Sequence, residues 1–166
     1  MENTVYKHNN IEKTFIENNV KNVLTVPCSI LNSCYKETSG VNTIYLSREE
    51  EGVGLASGFT VSGNNSVLMI QNSGLGNCIN AFASLTIPYK IGFIVIVSMR
   101  GDDLEDNPVQ VPMGKATKNL IKAIGCNYIE VSRQNSFEEC YLRAIRQIEI
   151  EKRPVFILLP RLEVLM

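Results

Sequence analysis

Phe93-Ile94-Val95-Ile96-Val97 is an unbroken run of bulky, mostly β-branched residues with no polar residue between them. Branching at Cβ favours extended backbone over helix. The lack of polar alternation leaves neither face of the strand to water. Such a strand belongs in the interior of a parallel sheet covered by helices on both sides. Most other constraints on the fold follow from it.

Around this run, helix-like and strand-like segments alternate from end to end. Strands are predicted over 23–26, 43–46, 66–70, 93–97, 127–131 and 154–159. Helices are predicted over 8–19, 29–37, 48–62, 77–87, 115–124 and 136–151, with polar loops at 71–77 and 100–112. Ile11, Phe15 and Ile16 mark one face of the first helix; Phe137, Tyr141, Ala144, Ile145 and Ile148 mark one face of the last. Ser136 and Glu139 have the spacing of a capping box. The expected fold is α/β: a three-layer, open, mostly parallel sheet with helices on both faces. With 166 residues, 45 % of them hydrophobic and 20 % charged, a single domain spanning 1–166 is expected.

Several function classes are disfavoured by composition. A formal net charge of −1 gives no electrostatic case for nucleic acid or an anionic membrane. The one histidine, His8, lies near the terminus, which argues against a histidine-based triad within the chain. The five cysteines (Cys28, Cys34, Cys78, Cys126, Cys140) are odd in number and contain no C-x-x-C pair, so neither a zinc ribbon nor a disulfide framework is expected. Nothing at Met1-Glu2-Asn3-Thr4 has the form of a secretory leader, and no apolar run approaches the ~18 residues of a membrane span. A reducing, cytoplasmic setting is the expectation.

In an open parallel sheet, ligands bind beyond the carboxyl ends of the strands. Four polar segments converge there: Pro27-Cys28-Ser29, Ser47 to Gly52, Gln71 to Asn77, and Met99 to Lys115. The second contains three successive carboxylates, Glu49-Glu50-Glu51, at a strand-to-helix junction with apolar flanks. Ser47 and Glu50 have capping-box spacing, and acids in a first turn offset the helix dipole. Successive helical residues point about 100° apart, so the three cannot share one environment. One is available for a site, as well as for a cap or the surface.

In the third segment, Gly74 and Gly76 permit close backbone approach, and Asn72, Ser73 and Asn77 offer short hydrogen-bonding groups. The dinucleotide fingerprint is incomplete and no Walker lysine follows. A loop contacting a polar ring or small substrate is the better reading. In the fourth segment, Arg100 and Lys115 are candidates for an anion, the alternative being a solvated loop with local ion pairs. Asp102, Asp103, Glu105 and Asp106 lack the spacing of a calcium loop, and no metal site is expected on this chain. Cys28 reads as pocket lining rather than as a nucleophile.

Taken together, Val26-Pro27-Cys28, Arg48-Glu49-Glu50-Glu51-Gly52, Gln71 to Asn77, and Val109-Gln110-Val111-Pro112-Met113-Gly114-Lys115 resemble the α subunits of sulfopyruvate decarboxylases. Less closely, they are similar to the N-terminal part of phosphonopyruvate decarboxylases. Both groups belong to the thiamine-diphosphate-dependent decarboxylases. The resemblance covers about residues 8–160 and implies a pyrimidine-binding domain. In that family a glutamate nine residues before a glycine hydrogen-bonds the cofactor's aminopyrimidine ring. Counting back from Gly58 selects Glu49 as the catalytic residue, leaving Glu50 for the cap and Glu51 for the surface or an interface.

The resemblance further implies cofactor contacts from Asn72, Ser73, Gly74, Leu75, Gly76 and Asn77, and substrate contacts from Pro27, Cys28, Arg100, Gln110 and Lys115. The family's Gly-Asp-Gly…Asn motif, which holds magnesium and the cofactor diphosphate, has no counterpart here: the single Gly-Asp, Gly101-Asp102, continues Asp103-Leu104. A diphosphate-binding β subunit in a hetero-oligomer is therefore expected to hold Mg2+. The implied reaction is decarboxylation of a 2-oxo acid with a second anionic group, sulfopyruvate to sulfoacetaldehyde and CO2. Relative to phosphonopyruvate decarboxylases, Cys28 replaces an acid and Gln110 a histidine. The alternatives are a phosphonopyruvate decarboxylase or related 2-oxo-acid lyase subunit and, in another class, a non-catalytic α/β module that binds a small anion and regulates a partner.

Overall fold

In the computed structural model, which describes residues 8–28, 30–31, 40–103 and 105–161, the run around Val95 is strand β4 (Ile94–Ser98), buried at every position. It pairs in parallel with β3 (Ser66–Gln71) on one side and β6 (Val155–Leu159) on the other. β1 (Asn22–Thr25), β2 (Asn42–Tyr45) and β5 (Asn127–Glu130) complete a sheet of order β2-β1-β3-β4-β6-β5, every pair of which is parallel. The strands with neighbours on both sides are buried along their length up to Gln71, whereas the edge strands β2 and β5 are mostly exposed or half-buried.

Alternate residues of each strand feed two separate cores. Val67, Met69, Ile94, Ile96, Val155 and Ile157 face helices α1 (His8–Glu17) and α5 (Phe137–Glu151), meeting Ile11, Phe15, Phe137 and Tyr141. Leu68, Ile70, Val95, Val97, Phe156 and Leu158 face α2 (Glu49–Val61), α3 (Asn72–Ala81) and α4 (Val111–Ala123), meeting Val53, Ala56, Leu75, Cys78 and Ile121. This is the expected three-layer α/β arrangement. Ser136 and Glu139 form the expected capping box at the start of α5. No described helix is long and apolar enough to cross a membrane. The helix expected over 29–37 falls outside the described residues, apart from Ile30 and Leu31.

Three local expectations are corrected. The loop expected over 71–77 is absent: α3 starts at Asn72, directly after β3, and both glycines are helical. Glycine weakens a helix by roughly 1 kcal/mol relative to alanine, but at Gly74 another helix's side chain occupies the space of a Cβ. The helix then passes into a π turn, Phe82–Thr86, rather than running evenly to residue 87. Finally, α4 begins at Val111 rather than 115, after a 3₁₀ turn at Pro108–Gln110. Pro112 is tolerated there because a first-turn N–H has no intrahelical partner to lose.

Gly52 sets the height of α2 above the sheet. A Cβ there would strike the Cδ1 atoms of Leu68 and Leu46, so glycine lets the first turn settle onto β3. Glu49 lies three residues earlier on the same helix, hence near the same face. The fold thereby brings one carboxylate of the acidic run to the seam between α2 and α3.

Candidate active site

Glu49 is the first residue of α2 and is half-buried. Its side chain crosses the backbone of Gly74 on α3, where a Cβ would collide with Oε1, Cδ and Cγ of the glutamate. Asn77, one turn further along α3, donates from Nδ2 to Glu49 Oε2 at 3.0 Å. Among the described residues, no lysine or arginine pairs with Glu49. The carboxylate is held by a neutral donor.

The other two glutamates exchange the roles expected of them. The N-cap of α2 is Arg48, and no side chain caps it. Glu51 is then the residue that reaches back, accepting from the Ser47 N–H at 3.1 Å. The Ser47–Glu50 capping box does not form, because the helix starts one residue later than that box requires. Glu50 instead pairs with Arg48 at 2.6 Å, and its Oε2 is enclosed without a hydrogen-bond partner.

The thiols near the core are inert. Burial, reinforced by the negative charges of Glu49 and Glu50, pushes the Cys78 thiol up to about 12. Burial likewise raises Cys126 to about 11. A protonated thiol is a poor nucleophile.

A second group of polar side chains lies at the carboxyl ends of β1, β3 and β4. Gln71, the last residue of β3, is its centre. Its Nε2 donates to Ser73 Oγ at 2.8 Å and to Gln110 Oε1 at 3.2 Å, and its Oε1 accepts from Cys28 Sγ at 3.5 Å. Cys28 also lies 3.5 Å from the Oγ of Ser98, the fully buried last residue of β4. Ser73 and Gly74 are consecutive, so the first turn of α3 joins this group to the Glu49 seam.

Asn72 proves to be a clip. Its side chain is fully buried; Nδ2 donates to Arg100 O at 2.9 Å and Thr117 Oγ1 at 3.3 Å, while Oδ1 accepts from Arg100 N at 3.2 Å. Leu75 is likewise fully buried in the core. Both side chains are turned into the protein and fix the backbone of the first turn of α3.

Arg100 is engaged within its own loop. Its guanidinium grips Glu105 in a bidentate manner, Nε to Oε2 at 2.7 Å and Nη2 to Oε1 at 2.5 Å. Glu105 has no exposed side-chain surface and also accepts from the N–H groups of Gly101 (2.8 Å) and Asn107 (3.2 Å), with Arg161 Nη1 3.7 Å away. The Arg100 bond, aided by those N–H groups, holds the Glu105 carboxyl well below the usual carboxylate range. Arg100 thus makes the local ion pair that is the alternative to an anion subsite. Gly101, at φ +86°, and Gly114 let this loop touch α4 backbone to backbone. Pro27 and Lys115 are exposed, and no described hydrogen bond or ion pair joins Lys115 to the group. Gly76 is exposed, and a Cβ there would lie 3.6 Å from Met113 Cε, an ordinary contact.

Gln71 and Ser98 were not among the expected ligand residues. Both end a buried strand at the binding edge, a positional signal present in the sequence. The Glu105–Arg161 pairing spans 56 residues and has no local signal.

A carboxylate on a two-helix seam lies beside a polar cluster at the carboxyl edge of a parallel sheet, and the fold that carries them is that of a domain found in thiamine-diphosphate-dependent decarboxylases. Benzoylformate decarboxylase from Polynucleobacter necessarius superposes with a TM-score of 0.77 at 20 % identity over 93 % of this chain and 30 % of that one. The thiamine diphosphate-dependent 4-hydroxybenzoylformate decarboxylase of Rhodococcus jostii gives 0.71 at 16 % identity, over 92 % of this chain and 29 % of that one. The chain thus spans about 30 % of the solved structures it matches. No protein-family model matches. Sulfopyruvate decarboxylase subunit alpha of Methanococcus maripaludis is 38 % identical over 121 residues, 71 % of this chain and 72 % of the relative. Phosphonopyruvate decarboxylase of Streptomyces viridochromogenes is 37 % identical over 106 residues, 61 % of this chain and 27 % of that protein. The chain belongs to the family of sulfopyruvate decarboxylase α subunits.

Proposed function

We propose that this chain is the pyrimidine-binding α subunit of a two-chain carboxy-lyase that converts sulfopyruvate to sulfoacetaldehyde and CO2. The observation that carries the reading is Glu49: a carboxylate laid over Gly74, oriented by Asn77, and left unneutralised. Such a group can hold a proton against a ring nitrogen, as the reading requires. The residues fit the aminopyrimidine end of thiamine diphosphate. Glu49, Ser73, Gly74, Gly76 and Asn77 would hold it, with Asn72 and Leu75 fixing their backbone. When bound, that cofactor supplies the electron-accepting ring that decarboxylation of a 2-oxo acid needs.

This chain's own residues divide the remaining work. Glu49 holds and releases one proton at its carboxylate, and Asn77 keeps that carboxylate in one orientation. Gln110, Ser73, Cys28, Pro27 and Lys115 border the space left for the substrate. The relatives are named as α subunits. A diphosphate-binding β chain, holding Mg2+ in a cytoplasmic hetero-oligomer, follows from this reading. The similarity to phosphonopyruvate decarboxylases supports a second reading with that substrate.

Reconstitution with the β chain tests the proposal. The complex should decarboxylate sulfopyruvate in preference to phosphonopyruvate, and Glu49→Gln should lower turnover by about 10²–10⁴-fold. Near-normal turnover by Glu49→Gln would remove Glu49 from the chemistry.

A further inference from the structure

The bonds around Gln71 run in one direction. Ser98 Oγ, fully buried, lies 3.5 Å from Cys28 Sγ; the Cys28 thiol donates to Gln71 Oε1; Gln71 Nε2 donates to both Ser73 Oγ and Gln110 Oε1. The Gln71 amide orientation is assigned from this network, its oxygen facing a donor and its nitrogen facing two acceptors. The consequence falls on the two recipients. With its oxygen turned to Gln71, Gln110 must point its own NH2 the other way. That nitrogen has no hydrogen-bond partner among the described residues. Ser73, accepting from Gln71, keeps its hydroxyl proton for a further acceptor.

Two donors are therefore left unengaged at this edge of the sheet, and both are neutral. The guanidinium groups of Arg100 and Arg161 are engaged by Glu105, so neither offers a fork, and the lysine assigned to the substrate space, Lys115, has no described bond to this group. Neutral donors suit a singly charged oxyanion such as a sulfonate. A group carrying nearly two charges, like a phosphoryl group at neutral pH, calls for an arginine fork or several cations.

We infer that Gln71 is a positioning residue for substrate selection: it turns Gln110 and Ser73 outward as neutral donors to a singly charged oxyanion at the substrate's remote end. The inference rests on the decarboxylase reading for the identity of the substrate and on the bonds around Gln71 for the mechanism of selection.

The test uses the reconstituted two-chain enzyme carrying Gln71→Met, which keeps side-chain length and removes the bridge, and separately Gln110→Leu. Sulfopyruvate is compared with pyruvate, which lacks the remote group. Each variant should raise KM for sulfopyruvate about tenfold, the size expected for a lost hydrogen bond to a charged group, and raise it much less for pyruvate, the loss falling on KM rather than kcat. Calorimetry with 3-sulfopropanoate should show the same tenfold weakening without any turnover. Equal losses on sulfopyruvate and pyruvate, or unchanged 3-sulfopropanoate binding, would overturn the inference while leaving the decarboxylase reading intact. A complex that decarboxylates no 2-oxo acid, yet binds 3-sulfopropanoate in a Gln71-dependent way, would overturn that reading and uphold this inference.

Discussion

Asn77 on α3 donates to Glu49 on α2 across 3.0 Å, joining residues 28 positions apart. The bond holds a carboxylate with a neutral amide and so fixes its orientation. Placing a second carboxylate there removes the donor and sets like charges together. Asn77→Asp should therefore weaken thiamine diphosphate binding to the reconstituted complex by about tenfold or more, and Asn77→Ala by less, as read by calorimetry.

Gly74→Ala should separate stability from activity. The new Cβ meets only the Glu49 side chain, which can swing aside. Helix propensity favours alanine by roughly 1 kcal/mol, so Tm should hold or rise by about 2–4 °C. Decarboxylation should nevertheless fall by at least about tenfold, because the carboxylate has been displaced. A variant that loses stability and activity together would contradict this account.

Gly114→Ala should behave in the opposite way. Its Cβ would meet the carbonyl oxygens of Arg100 and Gly101, which cannot rotate away. Overpacking against backbone costs about 1–3 kcal/mol, a fall in Tm of roughly 3–10 °C, measurable by thermal denaturation of the isolated chain.

Asn72→Ala removes three hydrogen bonds at a fully buried position and strands the Arg100 N–H and C=O. Each unsatisfied group costs about 1–3 kcal/mol. A loss of at least about 2 kcal/mol in urea denaturation is expected. A change below about 0.5 kcal/mol would mean that water replaces the clip.

Glu105 should make folding acid-sensitive. Its folded-state carboxyl lies below the usual range because Arg100 and backbone N–H groups bond the charged form. The unfolded chain therefore takes up its proton first as pH falls. The stabilisation is complete above the unfolded pKa of about 4.3 and drains away as pH drops toward the folded value. Urea denaturation from pH 7 to 3 should show the difference between wild type and Glu105→Gln shrinking below about pH 4.5. A difference that stays constant across that range would rule out the ion pair as its source.

Much of the fold was legible because burial is written locally. Strands buried on both faces favour an unbroken apolar run, as in 94–97, and amphipathic helices need a periodic face, as in α5. The errors came where tertiary contact overrode a local rule. Gly74 and Gly76 look like loop residues, yet they are helical. The Ser47–Glu50 spacing looks like a cap, yet the helix begins at Glu49 and Glu51 makes the returning bond.

The site divides along the same line. The sequence by itself determined the layered parallel sheet, the edge at which the four polar segments gather and, through family register to Gly58, which glutamate to watch. Only the tertiary structure decided that Arg100 belongs to Glu105, that Asn72 is a clip, and that Gln71 orients Gln110 and Ser73. Hydrophobic periodicity records whether a residue is buried, a property of one position. A hydrogen bond records which distant group it meets, and that exists only once the strands have set their order.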